Sequence, residues 1–224
     1  MSNGNARQKD KRLVKKVAVI SVVFMQLPMD SITLPRLAGI SLLTGPASIH
    51  RLAHVWMARW VMTSDLDVID CAGLFAPLGI LHALEDSGLN AWNALESIRV
   101  QSPRTPFEFL GASRLLAEGP SNPVIIFAPL RQFMASSAHN AAGNLLLEGF
   151  LALISEARRT KARVLLVESE RRSLTHRRGL GALMQAAQRT WQISAHGVRS
   201  IAGSPGMLRA SPGHPAAERL TAAM

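Results

Sequence analysis

The chain has 224 residues, 48% of them hydrophobic and 5% aromatic with no tyrosine, and it carries a formal charge of +10. That length and apolar content fit one domain with tails and a core filled by aliphatic side chains. The single cysteine, Cys71, excludes an internal disulfide framework and a cysteine-rich zinc site, and so few rings argue against a row of base-stacking platforms.

A sequence pI near 11.3 favours a polyanionic partner, whether DNA, RNA or an anionic membrane. Residues 1–16 hold Lys11, Arg12, Lys15 and Lys16, with Arg7 and Lys9, against Asp10 alone. They read as a disordered basic arm that serves either nucleic acid or solubility. Val17 to Phe24 is β-branched and apolar, a strand pattern, and a connector with Pro28 and Pro35 follows it. The longest apolar run, Val17 to Met29, contains Gln26 and Pro28 and is too short to span a bilayer. No small-residue cleavage site follows the basic flank, so a cytoplasmic protein is expected.

The core is expected over residues 36–206. Ile40 to Leu43 reads as a strand, and Ala47 to Met62 as a helix with Ile49, Leu52, Ala53, Trp56 and Trp60 at helical spacing. Asp65 to Asp70 reads as a strand, Leu78 to Leu84 as a helix closed by Gly88, and Leu95 to Val100 as a short strand. Thr105-Pro106-Phe107-Glu108 has capping-box spacing and opens a helix running to Ala117. Val124 to Phe127 is wholly apolar, as a central parallel strand is. A long helix spans Asn140 to Arg159, and Ala162 to Val167 is another strand. Glu170 to Arg178 reads as a basic loop, and strand-like pieces follow at Thr190 to Ile193 and Val198 to Ala202. The end of the chain is rich in Pro, Ala and Ser, a disordered tail over 207–224. Strands alternating with helices of this length predict an α/β fold with a doubly wound, mostly parallel sheet.

Gly39 to Leu52 has the layout of a phosphate-binding loop, G-x-x-x-x-G-K-[ST], without its chemistry. Gly45 keeps the first glycine. His50 replaces the second glycine, Arg51 the lysine, and Leu52 the Mg-binding hydroxyl residue. A side chain at His50 obstructs the backbone approach to phosphate, and Leu52 offers a metal no oxygen. Elsewhere, His50, His54 and His82 lack metal-ligand partners by spacing, and no nucleophile elbow is present. Trp56 and Trp60 fit a core or an interface better than base stacking.

Ile69-Asp70-Cys71-Ala72-Gly73-Leu74-Phe75 then resembles the Ile-Asp-Thr-Glu-Gly-x-Phe pattern of the RecA superfamily ATPase core, nearest the archaeal and eukaryotic RadA-type recombinases. The Val124 to Phe127 strand stands where that family has its Walker B strand, but ends in Ala128-Pro129 in place of Asp-Ser. Gly181 to Arg189 is similar to the family's Gly-Gly-x-x-x-x-His-Ala-x-x-x-Arg segment, and Arg199 to Pro205 to its Arg-x-x-x-x-x-Ser-Pro. The ImuA-like mutagenesis accessory proteins are the alternative within the superfamily.

The resemblance implies a RecA-like, P-loop NTPase fold with the ATPase residues lost. Hydrolysis needs a phosphate-binding Lys, a hydroxyl and an acid for Mg, and an activator of water. The matched positions hold Arg51, Leu52, Ala128 and Ala72, so no ATPase activity, metal or cofactor is expected. The family's second DNA-binding loop falls on Arg171, Arg172, His176, Arg177 and Arg178, which with the arm form the expected DNA-binding set. Its first DNA-binding loop would fall near Ala135 to Gly143, which contains no Lys or Arg. A second basic cluster, Arg158, Arg159, Lys161 and Arg163, fits a helix end favoured by its dipole. The expectation is a non-hydrolysing accessory protein that binds DNA, single strands preferred, and assists a recombinase or a repair polymerase. The rivals are a protein-interaction scaffold, with head-to-tail self-association, and a divergent ATPase with relocated ligands.

Overall fold

A computed structural model describes residues 37–85, 91–134, 140–171, 173–194 and 197–202, all within the compact unit Leu34–Met224. The expected arm, the Val17 to Phe24 strand, Gly88, Arg172 and the tail lie outside the described residues.

Seven strands form one sheet: β1 (Ile40–Gly45), β2 (Leu66–Asp70), β3 (Ile98–Gln101), β4 (Val124–Phe127), β5 (Val164–Ser169), β6 (Arg189–Ser194) and β7 (Gly197–Ala202). Their order is β3-β2-β4-β5-β1-β6-β7. Six run parallel, and β7 closes one edge antiparallel to β6. The helices are α1 (Ile49–Trp60), α2 (Pro77–Glu85), α3 (Ala91–Glu96), α4 (Pro106–Ser113), α5 (Arg131–Met134), α6 (Asn140–Arg159) and α7 (Leu174–Ala186). A 3-10 turn, Arg114–Leu116, extends α4. The fold is thus α/β with a doubly wound sheet, as the alternation of patterns predicts.

β4 and β1 are buried throughout because both faces are covered. On one face Ile40, Leu42, Ile126 and Leu166 meet Phe109, Phe150, Ile154 and Leu183 from α4, α6 and α7. On the other, α1 lays Trp56 edge-on against Trp191 of β6, with ring centroids 5.6 Å apart. Each Trp ring buries a large apolar area, which puts Trp56 and Trp60 in the core.

Several boundaries differ from expectation for local reasons. Thr105 caps α4 by accepting the Glu108 N–H, as its spacing predicts. Leu95 belongs to helix α3, and β3 begins only at Ile98. The short α5 carries no periodic signal, since it is one turn driven by the bend at Ala128 (φ 49). The largest correction concerns Glu170 to Arg178. From Leu174 onward this segment is the first turn and a half of α7, not a loop. Ser173 caps it by accepting the His176 N–H at 3.2 Å.

Candidate functional site

Asp70, Phe127, Ser169 and Gly45 end four neighbouring parallel strands at one edge of the sheet. In doubly wound folds ligands bind at this carboxyl edge, where adjacent connections leave toward opposite faces. The three motif-like segments, Gly45 to Leu52, Ile69 to Phe75 and the end of β4, all converge here.

The turn after β1 is closed upon itself. The N–H groups of Ile49, His50 and Arg51 donate to the carbonyls of Pro46, Ala47 and Ser48 at 3.0, 3.3 and 3.1 Å. These are the donors with which a phosphate loop would hold an anion. Gly45 lies at φ +149, and a Cβ there would meet the Ile193 carbonyl oxygen at 2.6 Å, so β6 covers the glycine. Leu52 is only 4% exposed and faces the core, whereas Arg51 stands in solvent. His50 is half-buried with an unpartnered Nδ1, and burial, then the neighbouring His54, lowers its pKa.

Asp70 organises the next loop. Its carboxylate accepts the N–H groups of Ala72 and Leu74 at 3.1 and 3.0 Å on Oδ1, and that of Phe75 at 2.8 Å on Oδ2. An aspartate that accepts this many backbone donors is a loop holder, tying 71–75 over the strand end. His54 supports the same loop: its Nε2 accepts the Ala76 N–H at 2.9 Å, while Nδ1 donates to the His50 carbonyl at 2.5 Å. The His54 ring stacks on Phe127 at 5.2 Å. Cys71 is buried, and desolvation, with Asp70 and Glu168 nearby, pushes its thiol far above the usual range, which makes it unreactive.

A buried pair beside this loop has no counterpart among the motifs legible from spacing. Glu168 and His176 are each 1% exposed, with Nε2 and Oε1 3.1 Å apart. Glu168 also accepts the Leu130 N–H at 3.0 Å on Oε2. One carboxylate therefore fastens the end of β5 to the start of α5 and to the first turn of α7. The findable signal was an acid ending an apolar strand with a histidine eight residues on, where the backbone turns into a helix. His176 is thus withdrawn from the DNA-binding set, because it is buried and bonded.

The exposed charge at this edge is mostly positive. Arg51, Arg104, Arg131, Arg171, Arg177 and Arg178 stand in solvent there, against the carboxylates of Glu108 and Glu170. Glu108 accepts the Arg104 backbone N–H, and Glu170 accepts the Gln192 side chain. Arg131 donates to the Ala72 carbonyl at 3.1 Å, and no ion pair among the described residues engages any of these arginines. Arg171 lies near enough to His50 to lower its pKa, so the Gly45 turn and the basic segment adjoin. Arg171, Arg177 and Arg178 are thus brought to one edge, while Arg172, Lys11, Arg12, Lys15 and Lys16 lie outside the described residues. Arg51 and Arg131 join the set through the fold alone. At the opposite edge, Asp67 pairs with Arg99 and Glu156 with Arg159.

No group of three or more His, Cys, Asp or Glu among the described residues is placed to hold a metal, and no described helix is long and apolar enough to cross a membrane. Neither a scan against models of protein families nor a search of curated proteins returns a match to this chain.

Proposed function

We propose that this chain is a RecA-like accessory protein of recombination or repair that binds DNA, single strands preferred, along the carboxyl edge of its sheet without hydrolysing nucleotide. The observation that carries the reading is the row of exposed arginines at that edge, in no ion pair among the described residues, from Arg51 and Arg171 beside the Gly45 turn to Arg177 and Arg178 on α7. Arginine on backbone phosphates supplies affinity and salt dependence without reading sequence. The convergence of three motif-like segments on one edge supports descent from a nucleotide site, since a phosphoryl-transfer centre needs those parts around one nucleotide. The self-bonded turn and the buried Leu52 support the loss of its catalysis.

Exposed Leu78, Trp92 and Phe107 favour a protein partner as a second reading, either a recombinase or a repair polymerase. Fluorescence anisotropy with labelled single- and double-stranded DNA across a salt series tests the first reading. Binding is expected to weaken steeply with salt and to ignore ATP and Mg. The slope should shrink by roughly 0.7 for each phosphate that Arg171, Arg177 or Arg178 no longer neutralises once replaced by Ala. No binding at low salt by the unaltered chain overturns DNA binding and leaves the protein partner, to be sought by affinity capture on the same chain.

A further inference from the structure

Helix α6 ends in a Schellman turn. The Ala162 N–H donates to the Ala157 carbonyl at 2.9 Å, and the Lys161 N–H to the Arg158 carbonyl at 3.2 Å. Lys161 itself takes the left-handed conformation, at φ 59. Glycine is the usual occupant of this position, because a Cβ there crowds the neighbouring carbonyl. Lysine is therefore held at a cost to stability. It is also the only lysine beyond Lys16, in a chain whose other side chains of that charge are arginines. Strained residues of this kind gather where the side chain is used. Around Lys161 stand Arg158 and Arg159, exposed on the last turn of α6, and half-buried Arg163, which donates to the Ser121 carbonyl at the approach to β4. Arg158 and Lys161 are exposed and in no ion pair among the described residues.

We propose that this amino edge of the sheet docks an acidic segment of a protein partner, whose carboxylates are taken by Lys161 and Arg158. The proposal does not rest on the DNA reading, since the site lies at the other end of the strands from the row of edge arginines. A guanidinium grips a carboxylate with two parallel N–H groups, and an ammonium brings three donors. Two acids within the cluster favour a peptide over a nucleic acid. Glu156 is bonded to Arg159, and Glu118 is exposed on the turn that packs on Thr160, where a Cβ on Gly119 would lie 3.3 Å from the Thr160 side chain. A phosphate backbone is charged at every step and would meet those carboxylates with like charge, whereas a peptide can set an uncharged or basic residue opposite them. The cations also lie within residues 158–163, a short patch that matches a few carboxylates better than a tract of phosphates.

The test uses a fluorescein-labelled decapeptide of glutamate and the full chain. A carbodiimide, which joins a carboxylate to an amine it already touches, should couple the peptide to Lys161, as read by peptide mass mapping. Replacing Lys161→Gly and Arg158→Ala together should weaken the peptide about tenfold at fixed salt. Lys161→Gly alone should raise the melting midpoint by roughly 2–4 °C while it weakens the peptide, two effects of opposite sign. Lys161→Met, which removes the charge and keeps the strain, should weaken the peptide equally without the rise. Coupling to the lysines of residues 1–16 alone, or unchanged affinity in the double variant, overturns the proposal. A lower melting midpoint in Lys161→Gly overturns it too, because the side chain then serves the fold. If the double variant leaves the peptide bound but lowers the salt slope for a thymidine oligonucleotide, the surface takes nucleic acid and the acidic partner is overturned. Absence of DNA binding by the unaltered chain overturns the DNA reading and leaves this docking surface standing.

Discussion

His54 is held as a neutral imidazole because its two nitrogens are asked for opposite things. Nδ1 donates to the His50 carbonyl and Nε2 accepts from the Ala76 N–H. A proton on Nε2 would set N–H against N–H inside the core. Burial accordingly lowers its pKa from 6.5, against smaller raising effects of the His50 carbonyl and Asp70. Between that lowered value and 6.5 the unfolded chain binds more protons than the folded one, so stability rises with pH in this window. The contribution is complete above about pH 6.5 and is lost as pH falls through the lowered folded value; His50 acts in the same direction. Melting curves from neutral to about pH 5 should therefore show a falling midpoint. His54→Gln, whose amide oxygen can still accept from Ala76 and does not titrate, should show a smaller fall. An equal fall in the variant would assign the acid sensitivity to other groups. Asp70 carries a related lesson. From sequence it matches an aspartate in an ATPase motif, yet its oxygens are filled by three backbone donors. Residue identity was readable; what the residue is bonded to depends on how residues 71–75 fold back, which no spacing encodes.

At the scale of elements, strands and long helices were readable because their burial is written into the side chains. Val124–Phe127 is apolar at every position since both faces are covered, and α6 repeats Phe150, Ile154 and Ala157 at helical spacing. The start of α7 was not readable. Arg171, Arg177 and Arg178 make the stretch look like a solvated loop, and its buried face begins with a histidine, whose partner Glu168 is on another element. Its N-cap, Ser173, lacks the glutamate three residues on that marks a capping box. The turn after β1 is a further case. Restoring the phosphate-loop residues with His50→Gly, Arg51→Lys and Leu52→Thr should not restore a nucleotide site. The Ile49 and Arg51 donors remain engaged within the turn, and the Leu52 position is inside the core. Truncating a buried leucine costs about 2–5 kcal/mol, so the triple variant should lose stability by that order in denaturant titration. It should also show no Mg-dependent retention of labelled ATP. Retained ATP would mean that the turn can open, and would return the divergent-ATPase reading.

At the scale of the whole molecule, the charge of +10 is unevenly spread, and the distribution decides what DNA can do. Arg158, Arg159, Lys161 and Arg163 lie at the other end of the strands, where Glu156 pairs with Arg159 and Arg163 donates to the Ser121 carbonyl. This cluster is only partly bonded, since Arg158 and Lys161 are exposed and in no ion pair among the described residues, and it sits where the α6 helix end favours positive charge. The exposed arginines of the carboxyl edge form one candidate set of cations, and the lysines and arginines of residues 1–16 another. If the strand runs along the edge and the arm reaches the same strand, the two sets act on different phosphates and their effects add. Replacing Lys11, Arg12, Lys15 and Lys16 by Ala should then lower the salt slope by up to roughly 0.7 per phosphate released, as should replacing Arg171, Arg177 and Arg178. The combined variant should show the sum of the two reductions. A slope set wholly by the arm would mean that the edge arginines face a protein instead. In that case the exposed Leu78, Trp92 and Phe107 become the surface to alter next, because an arm that holds DNA while the fold holds a partner would tether one to the other.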